Sequence, residues 1–328
     1  MKTKILYVLV STESDIFAEQ TYLSIQSLRK HNNSAIVSLI MDNKTALSVK
    51  ERKFELLKIV DEPIVVDLPD NMTNKFKSRV LKTNMRNYVK GDILYIDSDT
   101  IVLSDISEID NVEFDIAAVN ELNRPFVEST CKTTLSEIYN RLGEDINSIK
   151  DYFNSGVIYI KDNEQTRSFF TDWNKLWEDE TKKGVFFDQP SLGLVNARMG
   201  NVIGTLDGTW NCQGRYSVNF VQKAKIFHYL YDQGFEFPLL KKKAFDELKT
   251  HGVINSDLQK VLDDPYGNIS TNNIIITDDD VVIFGSKLYS LIRNIYNHKQ
   301  IYKLMEGMLN KAYSIILSLK SRNLVPPR

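Results

Sequence analysis

The stretch GDILYIDSDTIVLSD, Gly91 to Asp105, ends an apolar run on two aspartates one residue apart, Asp97 and Asp99. Two carboxylates so close repel each other, and a divalent cation between them offsets that repulsion. Oxygen ligands suit hard cations such as Mg²⁺ or Mn²⁺. An Asp-x-Asp pair alone is a weak signal, because turns and caps use the same residues. The chain carries a second copy at Asp278–Asp280, between apolar runs 274–276 and 281–284, where a hairpin turn accounts for it. Position separates the copies: Asp97 and Asp99 follow the apolar run Ile93–Ile96, and open α/β sheets bind ligands at the carboxyl ends of their strands. Neither Gly-x-Gly-x-x-Gly nor Gly-x-x-x-x-Gly-Lys-Ser/Thr occurs, so phosphates would have to be held by a metal and side chains.

The elements that must position this pair are legible as an alternation. Apolar strands are expected at Ile5–Val10, Ala35–Met41, Pro63–Asp67 and Ile93–Ile96, with helices at Ile16–Lys30, Thr45–Lys58 and Phe76–Tyr88 between them. Such alternation predicts a mostly parallel sheet flanked by helices, and strands this apolar are buried on both faces. Further strands are expected at Phe114–Val119, Phe153–Ile160 and Lys225–Tyr229, and helices at Glu164–Glu178 and Gln189–Asn196. The organisation expected is an α/β domain over residues 1–235, a helix-and-hairpin segment over 236–286, packed on it or appended to it, and a basic amphipathic helix over 287–328.

In order and approximate spacing, ILYVLVSTESDIFAEQTYLSIQSL, SRVLKTNMRNYVKGDILYIDSDTIVLSDI, YFNSGVIYIK, FFDQPSLGLVN and KIFHYL resemble glycosyltransferase family 8 from residue 4 to about 230. The resemblance implies the GT-A fold, a UDP-sugar donor with Mn²⁺ (or Mg²⁺), and retention of anomeric configuration. It implies that Asp97, Asp99 and His228 ligate the metal, and that Ser11 and Thr12 lie at the uracil ring. Arg79 and Lys82 fall on the basic helix facing the diphosphate or sugar, Ser98 lies between the metal ligands, and Asn154, Ser155 and Gly156 form the turn beside the donor sugar. Asp188 and Gln189 match the pair facing the reacting carbon, Asp188 orienting donor hydroxyls and the Gln189 amide stabilising the cationic carbon.

Read without the resemblance, Asn154 is an ordinary turn residue and His228 a core histidine. Two departures from the family pattern stand out. Its Asp-Gln-Asp is Asp188-Gln189-Pro190 here, proline suiting a first helical turn, and Tyr229-Leu230-Tyr231-Asp232-Gln233-Gly234 follows His228 where the family has a glycine, a lysine and a proline. Arg79, Lys82 or Lys225 would then substitute for that lysine. Of the aromatics crowding this half, Tyr152, Phe153, Phe186, Phe187, Trp210, Tyr216 and Tyr229, most belong to a core, and Trp210, in GTLDGTWNCQG, is the one expected to stack on a sugar.

ILYIDSDTIV also fits the opening motif of haloacid dehalogenase-like phosphatases, but that motif opens their core domain, whereas three β-α units precede it here. A non-catalytic sugar-nucleotide-binding subunit is the other alternative. A sugar-nucleotide pyrophosphorylase lacks its Gly-rich N-terminal signature here.

The totals agree with such an enzyme. The 328 residues are 42% apolar, enough for a large core, and the two cysteines, Cys131 and Cys212, suggest neither a disulfide framework nor a zinc site, which fits a reducing cytoplasm. The apolar run at the N-terminus is shorter than a signal-peptide core, and nowhere do eighteen apolar residues run together. The net charge of −2 divides into +7 over residues 287–328 and −9 before them. No nucleic-acid-binding signature occurs, so nucleic acid is not an expected partner. Leu288, Leu291, Ile295, Tyr302, Met305, Leu309, Ala312, Ile316 and Leu319 recur at helical spacing among the basic residues. That face suits docking on the domain, a homodimer contact, or peripheral membrane association through residues 287–322 at the inner face of the cell membrane. The expected acceptor is a glycan, a protein or a lipid-linked acceptor.

Overall fold

A computed structural model describes residues 1–129, 131–214, 220–231, 237, 239–270 and scattered positions between 298 and 311. The hairpin at 274–284, the helix over 287–328, Tyr216 and Asp232–Gly234 lie outside the described residues, apart from those scattered positions. The chain forms two compact units, Met1–Ile275 and Ile276–Arg328.

The strands are β1 Lys4–Leu9, β2 Val37–Asp42, β3 Glu62–Val66, β4 Ile93–Ile96, β5 Thr100–Val102, β6 Ile116–Asn120, β7 Phe153–Ile160, β8 Ile203–Thr205, β9 Cys212–Gln213 and β10 Ile226–His228. The helices are α1 Phe17–His31, α2 Asn43–Lys50, α3 Asn74–Thr83, α4 Met85–Tyr88, α5 Lys132–Leu142, α6 Glu164–Lys182, α7 Gln189–Arg198, α8 Lys242–His251, α9 Ser256–Asp263 and α10 Pro265–Ser270. Among the described residues, seven strands form one sheet in the order β3-β2-β1-β4-β7-β6-β8, and β5-β10-β9 form a second. All neighbours in the large sheet are parallel except β7, which is antiparallel to both β4 and β6. This is the mostly parallel α/β sheet expected, with one inverted strand in its middle.

Alternation along each strand builds a core on both faces. Ile5, Tyr7 and Leu9 of β1 join Leu94 and Ile96 of β4 in one cluster with α1, while Leu6 and Val8 join Ile93 and Tyr95 in the other with Phe169, Phe170 and Trp173 of α6. Phe245 and Leu248 of α8 and Leu258 and Val261 of α9 are fully buried in the first cluster.

Two expected helices are interrupted. The one expected at Thr45–Lys58 stops at Lys50, and a 3₁₀ turn, Leu56–Ile59, follows. The one expected at Phe76–Tyr88 breaks at Asn84, whose backbone leaves helical geometry and divides α3 from α4. The short strands β5, β8 and β9, of two or three residues, and the helix α5 had no counterpart among the expected elements.

The inverted strand positions the site. Because β7 runs against β4 and β6, its first residues reach the edge where those strands end. Ile96 pairs with Val157, so the Asp97 N–H donates to the Gly156 carbonyl at 2.8 Å, and Glu121 just past β6 donates its N–H to the Tyr152 carbonyl at 2.9 Å. β8 runs parallel to β6, and the chain beyond it, through Asn211, returns to the same edge.

Candidate metal and nucleotide-sugar site

Three residues converge from two sheets. Antiparallel pairing of β10 with β5 sets His228 opposite Thr100, directly beyond Asp99. One ligand atom each from Asp97, Asp99 and His228 lies within 4.8 Å of the others. His228 Nε2 is 3.2 Å from Asp99 Oδ1 and 4.0 Å from Asp97 Oδ2. His228 is buried, while Asp97 and Asp99 are partly exposed.

The hydrogen bonds around His228 test whether a cation fits. The Gly156 N–H must donate, so the Asn154 atom 2.9 Å from it is Oδ1. That oxygen also accepts from Asn211 Nδ2 at 2.8 Å, which turns Asn211 Oδ1 toward His228 Nδ1 at 3.0 Å. A proton on Nδ1 satisfies that oxygen, and a neutral ring of that form aims its Nε2 lone pair at two carboxylates. A second proton or a bound cation resolves that juxtaposition. Burial opposes protonation of His228, but the Asp99 and Asp97 charges outweigh it and raise its pKa above the ordinary histidine value. Burial likewise opposes the Asp99 charge, and His228 with the Tyr231 N–H brings its pKa below the usual carboxylate value. Two carboxylate oxygens and an imidazole nitrogen are a donor set that suits Mn²⁺ or Mg²⁺.

Beside the cluster lies a cationic pocket. Lys82 Nζ, on the buried face of α3, stands 3.1 Å from Asp97 Oδ1 and 3.5 Å from Asp188 Oδ2. Arg79 Nε, one turn earlier, is 2.9 Å from Asp188 Oδ1, and Ser155 Oγ donates to Asp188 Oδ2 at 2.8 Å. Burial opposes ionisation of Asp188, yet the two cations hold its carboxyl well below the usual range. Asp188 immediately precedes α7, whose first turn holds Pro190.

Thus Arg79, Lys82, Asp97, Asp99, Asn154, Ser155, Gly156, Asp188, Gln189 and His228 come together. Ser98 lies against α1, where Thr21 Oγ1 donates to its Oγ at 2.8 Å. Ser11 and Thr12 sit at the exit of β1 on the same sheet edge, folded back on Asp15: Ser11 Oγ and the Thr12 N–H donate to its carboxylate at 2.6 and 2.8 Å. No hydrogen bond joins Ser11 or Thr12 to the metal cluster among the described residues.

Three participants escape a reading of the sequence. Glu121 Oε2 accepts from both Asn154 Nδ2 and Gln189 Nε2 at 2.8 Å, and burial raises its pKa against those bonds. Asn211 is fully buried against His228. The Tyr95 hydroxyl donates to Asp97. Glu121 had one legible signal, its place just beyond an apolar strand. Asn211 in TWNCQ had none.

Trp210 corrects an expectation. It is 5% exposed and belongs to the core, with Lys225 Nζ 4.5 Å from its ring centroid, so no face is free for a sugar. The glycines around it serve close packing, since a Cβ on Gly208 would come within 2.3 Å of the Phe220 ring. Tyr152, Phe153 and Tyr229 are buried as expected, whereas Phe186 and Phe187 are half-exposed.

A parallel sheet with one inverted strand, an acidic pair at the end of β4 and a histidine returned to it by a second small sheet define a glycosyltransferase of the GT-A fold. The family model for glycosyl transferase family 8 matches residues 9–232, and the chain belongs to that family. Membership sets aside the phosphatase reading of Asp97 and Asp99. Among solved structures, the chain is similar to the galactosyltransferase LgtC in complex with donor and acceptor sugar analogs, at 13% identity and a TM-score of 0.50 over 84% of this chain and 98% of that one. It is also similar to the glycosyltransferase GlyE of Streptococcus pneumoniae TIGR4, at 16% identity and a TM-score of 0.50, covering 84% of this chain and 67% of that one. An active-site mutant of LgtC gives 12% identity and a TM-score of 0.51 over 78% and 99%. No curated protein matches the sequence.

Proposed function

We propose that this protein is a retaining glycosyltransferase that moves a hexose from a UDP-sugar to a glycan, protein or lipid-linked acceptor with Mn²⁺. The observation that carries the reading is the cluster of Asp97, Asp99 and His228 beside the Lys82, Arg79 and Asp188 pocket. Asp97, Asp99 and His228 would hold the ion, which when bound supplies Lewis-acid stabilisation of negative charge on the diphosphate. Lys82 and Arg79 stand where they can share that charge as the bond between the sugar and phosphate breaks. Asp188, ionised and fixed by Ser155, is suited to orient donor hydroxyls.

The bonding electron pair leaves with the diphosphate, so the anomeric carbon becomes oxocarbenium-like. Gln189 donates its amide N–H to Glu121 and to the Phe153 carbonyl at 3.2 Å, which leaves its own carbonyl oxygen free of those partners to face the cationic carbon. An amide is a poor nucleophile, so the acceptor hydroxyl adds on the face the diphosphate leaves and gives up its proton there, with net retention. Ser11 and Thr12 would meet the base, and Ser98, Asn154 and Gly156 would line the donor.

Hydrolysis across a panel of UDP- and GDP-sugars with and without Mn²⁺ tests the reading. Mn²⁺-dependent release of one sugar supports it. UDP binding without turnover of any donor would favour a non-catalytic sugar-nucleotide-binding subunit.

The charge division supports a reading of where the reaction runs. A +7 segment over 287–328 on a body of −9 suits a cytoplasmic enzyme resting on the inner face of the cell membrane through residues 287–322, where a lipid-linked acceptor is found. No helix among the described residues is long and apolar enough to cross a membrane. Truncation after Gly285 should abolish sedimentation with anionic liposomes and spare donor hydrolysis; an aggregated or unfolded truncated chain would refute the membrane role.

A further inference from the structure

Gln189 and His228 belong to different ends of the proposed site, yet a continuous series of hydrogen bonds joins them. Gln189 Nε2 donates to Glu121 Oε2, which also accepts from Asn154 Nδ2; Asn154 Oδ1 accepts from Asn211 Nδ2; Asn211 Oδ1 accepts from His228 Nδ1. Each distance lies between 2.8 and 3.0 Å. Asn154, Asn211 and His228 are all at least nine-tenths buried, so water does not compete for these groups.

An amide can be turned end for end, so the direction of such a series is not self-evident. Here two backbone groups of β7 fix it. The Gly156 N–H faces Asn154 and can only donate, and the Phe153 carbonyl faces Gln189 and can only accept. Reversing Asn154 would set its NH₂ against the Gly156 N–H, and reversing Gln189 would set its carbonyl against both Phe153 O and Glu121. With both ends fixed, Asn211 has one satisfied orientation and His228 one tautomer.

We propose that Glu121, Asn154 and Asn211 are positioning residues that form a one-directional hydrogen-bond relay, fixing His228 as its Nδ1–H tautomer for cation binding at Nε2 and holding the Gln189 amide with its carbonyl toward the donor. The relay couples the group facing the reacting carbon to the group holding the cation, and it rests on the function proposed above. The backbone after Glu121 is built to hold it. Leu122 and Asn123 both adopt left-handed backbone angles, φ 62° and 52°, which cost on the order of 1 kcal/mol or more each for residues with a Cβ. Gln213 Oε1 accepts from the Leu122 N–H at 2.8 Å, and Asn123 Nδ2 donates to the Asn211 carbonyl at 2.8 Å. The strained turn is thus tied to Asn211 itself.

The test is the tautomer of His228, read in long-range ¹H–¹⁵N correlation spectra of ¹⁵N-histidine-labelled full-length protein, metal-free at pH 9 and with Mg²⁺. The parent is expected to show Nδ1–H. Asn211→Leu keeps the approximate volume but removes the acceptor, and His228 should change to Nε2–H, donating to Asp99. Asn211→Asp keeps an acceptor at Nδ1 and should retain the parent tautomer. Mn²⁺ affinity, followed by electron paramagnetic resonance, should fall about 10- to 100-fold in Asn211→Leu, the usual range for loss of a partner behind a metal ligand. Glu121→Gln, which still offers an oxygen to both amides, should keep the tautomer and most of the turnover, whereas Glu121→Leu should lower kcat with donor KM little changed.

An Nε2–H parent, or an Asn211→Leu variant with parental tautomer and Mn²⁺ affinity, overturns the relay. Should Asn211→Leu fail to fold, the parent spectrum and Asn211→Asp decide the matter, an Nε2–H form in either one refuting it. A parent that binds no Mn²⁺ refutes the glycosyltransferase site instead, because the metal-free spectrum still reads the relay.

Discussion

The His228 ring fills the space a side chain on Gly156 would take: a Cβ there would stand 2.3 Å from His228 Cε1 and 2.8 Å from Nδ1. The Asn-Ser-Gly segment expected as a turn lies within β7, and its glycine is required there by close approach of the ring rather than by its backbone angles. Gly156→Ala should push the imidazole out of line with Asp97 and Asp99 and cost about 1–3 kcal/mol of stability by overpacking. Mn²⁺ titration of the variant should show weakened binding, and parental affinity would show the ring free to shift.

The two aspartates should divide from the rest of the site by what they leave intact. Both are partly exposed, and Asp188 still pairs with Lys82 when the Asp97 charge is removed, so Asp97→Asn and Asp99→Asn should fold and lose less stability than Lys82→Met, while losing Mn²⁺-dependent UDP binding and transfer. Thermal melts with isothermal titration in the same buffer check both halves. Asp99→Asn that bound UDP and turned over like the parent would exclude it as a ligand.

Gln189 makes its contribution where positive charge develops, and so should affect turnover rather than affinity. Gln189→Ala should reduce kcat by about 10-fold or more with donor KM within a few-fold of the parent, since one polar contact in a closed site is worth about 1.4 kcal/mol or more. A variant with weakened donor binding and unchanged kcat would assign Gln189 to ground-state binding.

The parts of this molecule that were legible in its sequence follow rules of short range. A strand that is apolar throughout is buried on both faces, which located β1, β2, β4 and β7, and the strand-end rule singled out Asp97 and Asp99 over the second Asp-x-Asp. β5 was not separable from the run after Asp99 because three residues, Thr100–Val102, carry no periodicity. Glu121 and Asn211 were hidden for a different reason: their partners lie 33 to 68 and 17 to 57 residues away, and an amide or acid in a turn looks the same whether it caps that turn or reaches across the sheet. Trp210 misled because glycines that mark an exposed turn also mark close packing, and here Phe220 fills the space a side chain would take.

Glu180, near the end of α6, gives stability a pH dependence of its own. It is buried, the Ser191 N–H alone gives it weak support among the described residues, and burial with Glu144 nearby pushes its pKa up to about 8 from an ordinary 4.5, against Arg198 and Lys183. The folded state holds this proton more tightly than the unfolded chain, so its contribution to stability is complete below about pH 4.5 and is lost as pH rises through about 8. Glu180→Gln should therefore unfold at a higher temperature than the parent at pH 8.5 and at a similar one at pH 4.5. Calorimetry at the two pH values measures the difference, and parallel curves would show the carboxyl to be solvated.

Lys82 offers the last test, because it stands in the way of the cation it would help. Its buried Nζ holds Asp97 at 3.1 and 3.3 Å and Asp188 at 3.5 Å, so without a metal it is the charge that keeps those carboxylates together. Removing one partner of a fully buried pair costs about 3–5 kcal/mol, and the quarter of Asp97 that reaches solvent reduces the cost here. Lys82→Met should consequently melt a few degrees below the parent in the presence of chelator, at about 1–2 °C per kcal/mol, since the shift per kcal/mol shrinks as the chain lengthens. Mn²⁺ should then raise the melting temperature of Lys82→Met more than that of the parent, since the ion takes over the compensation of Asp97 without first displacing an ammonium group. Equal Mn²⁺ shifts in the two proteins would show that Lys82 and the cation do not share that carboxylate.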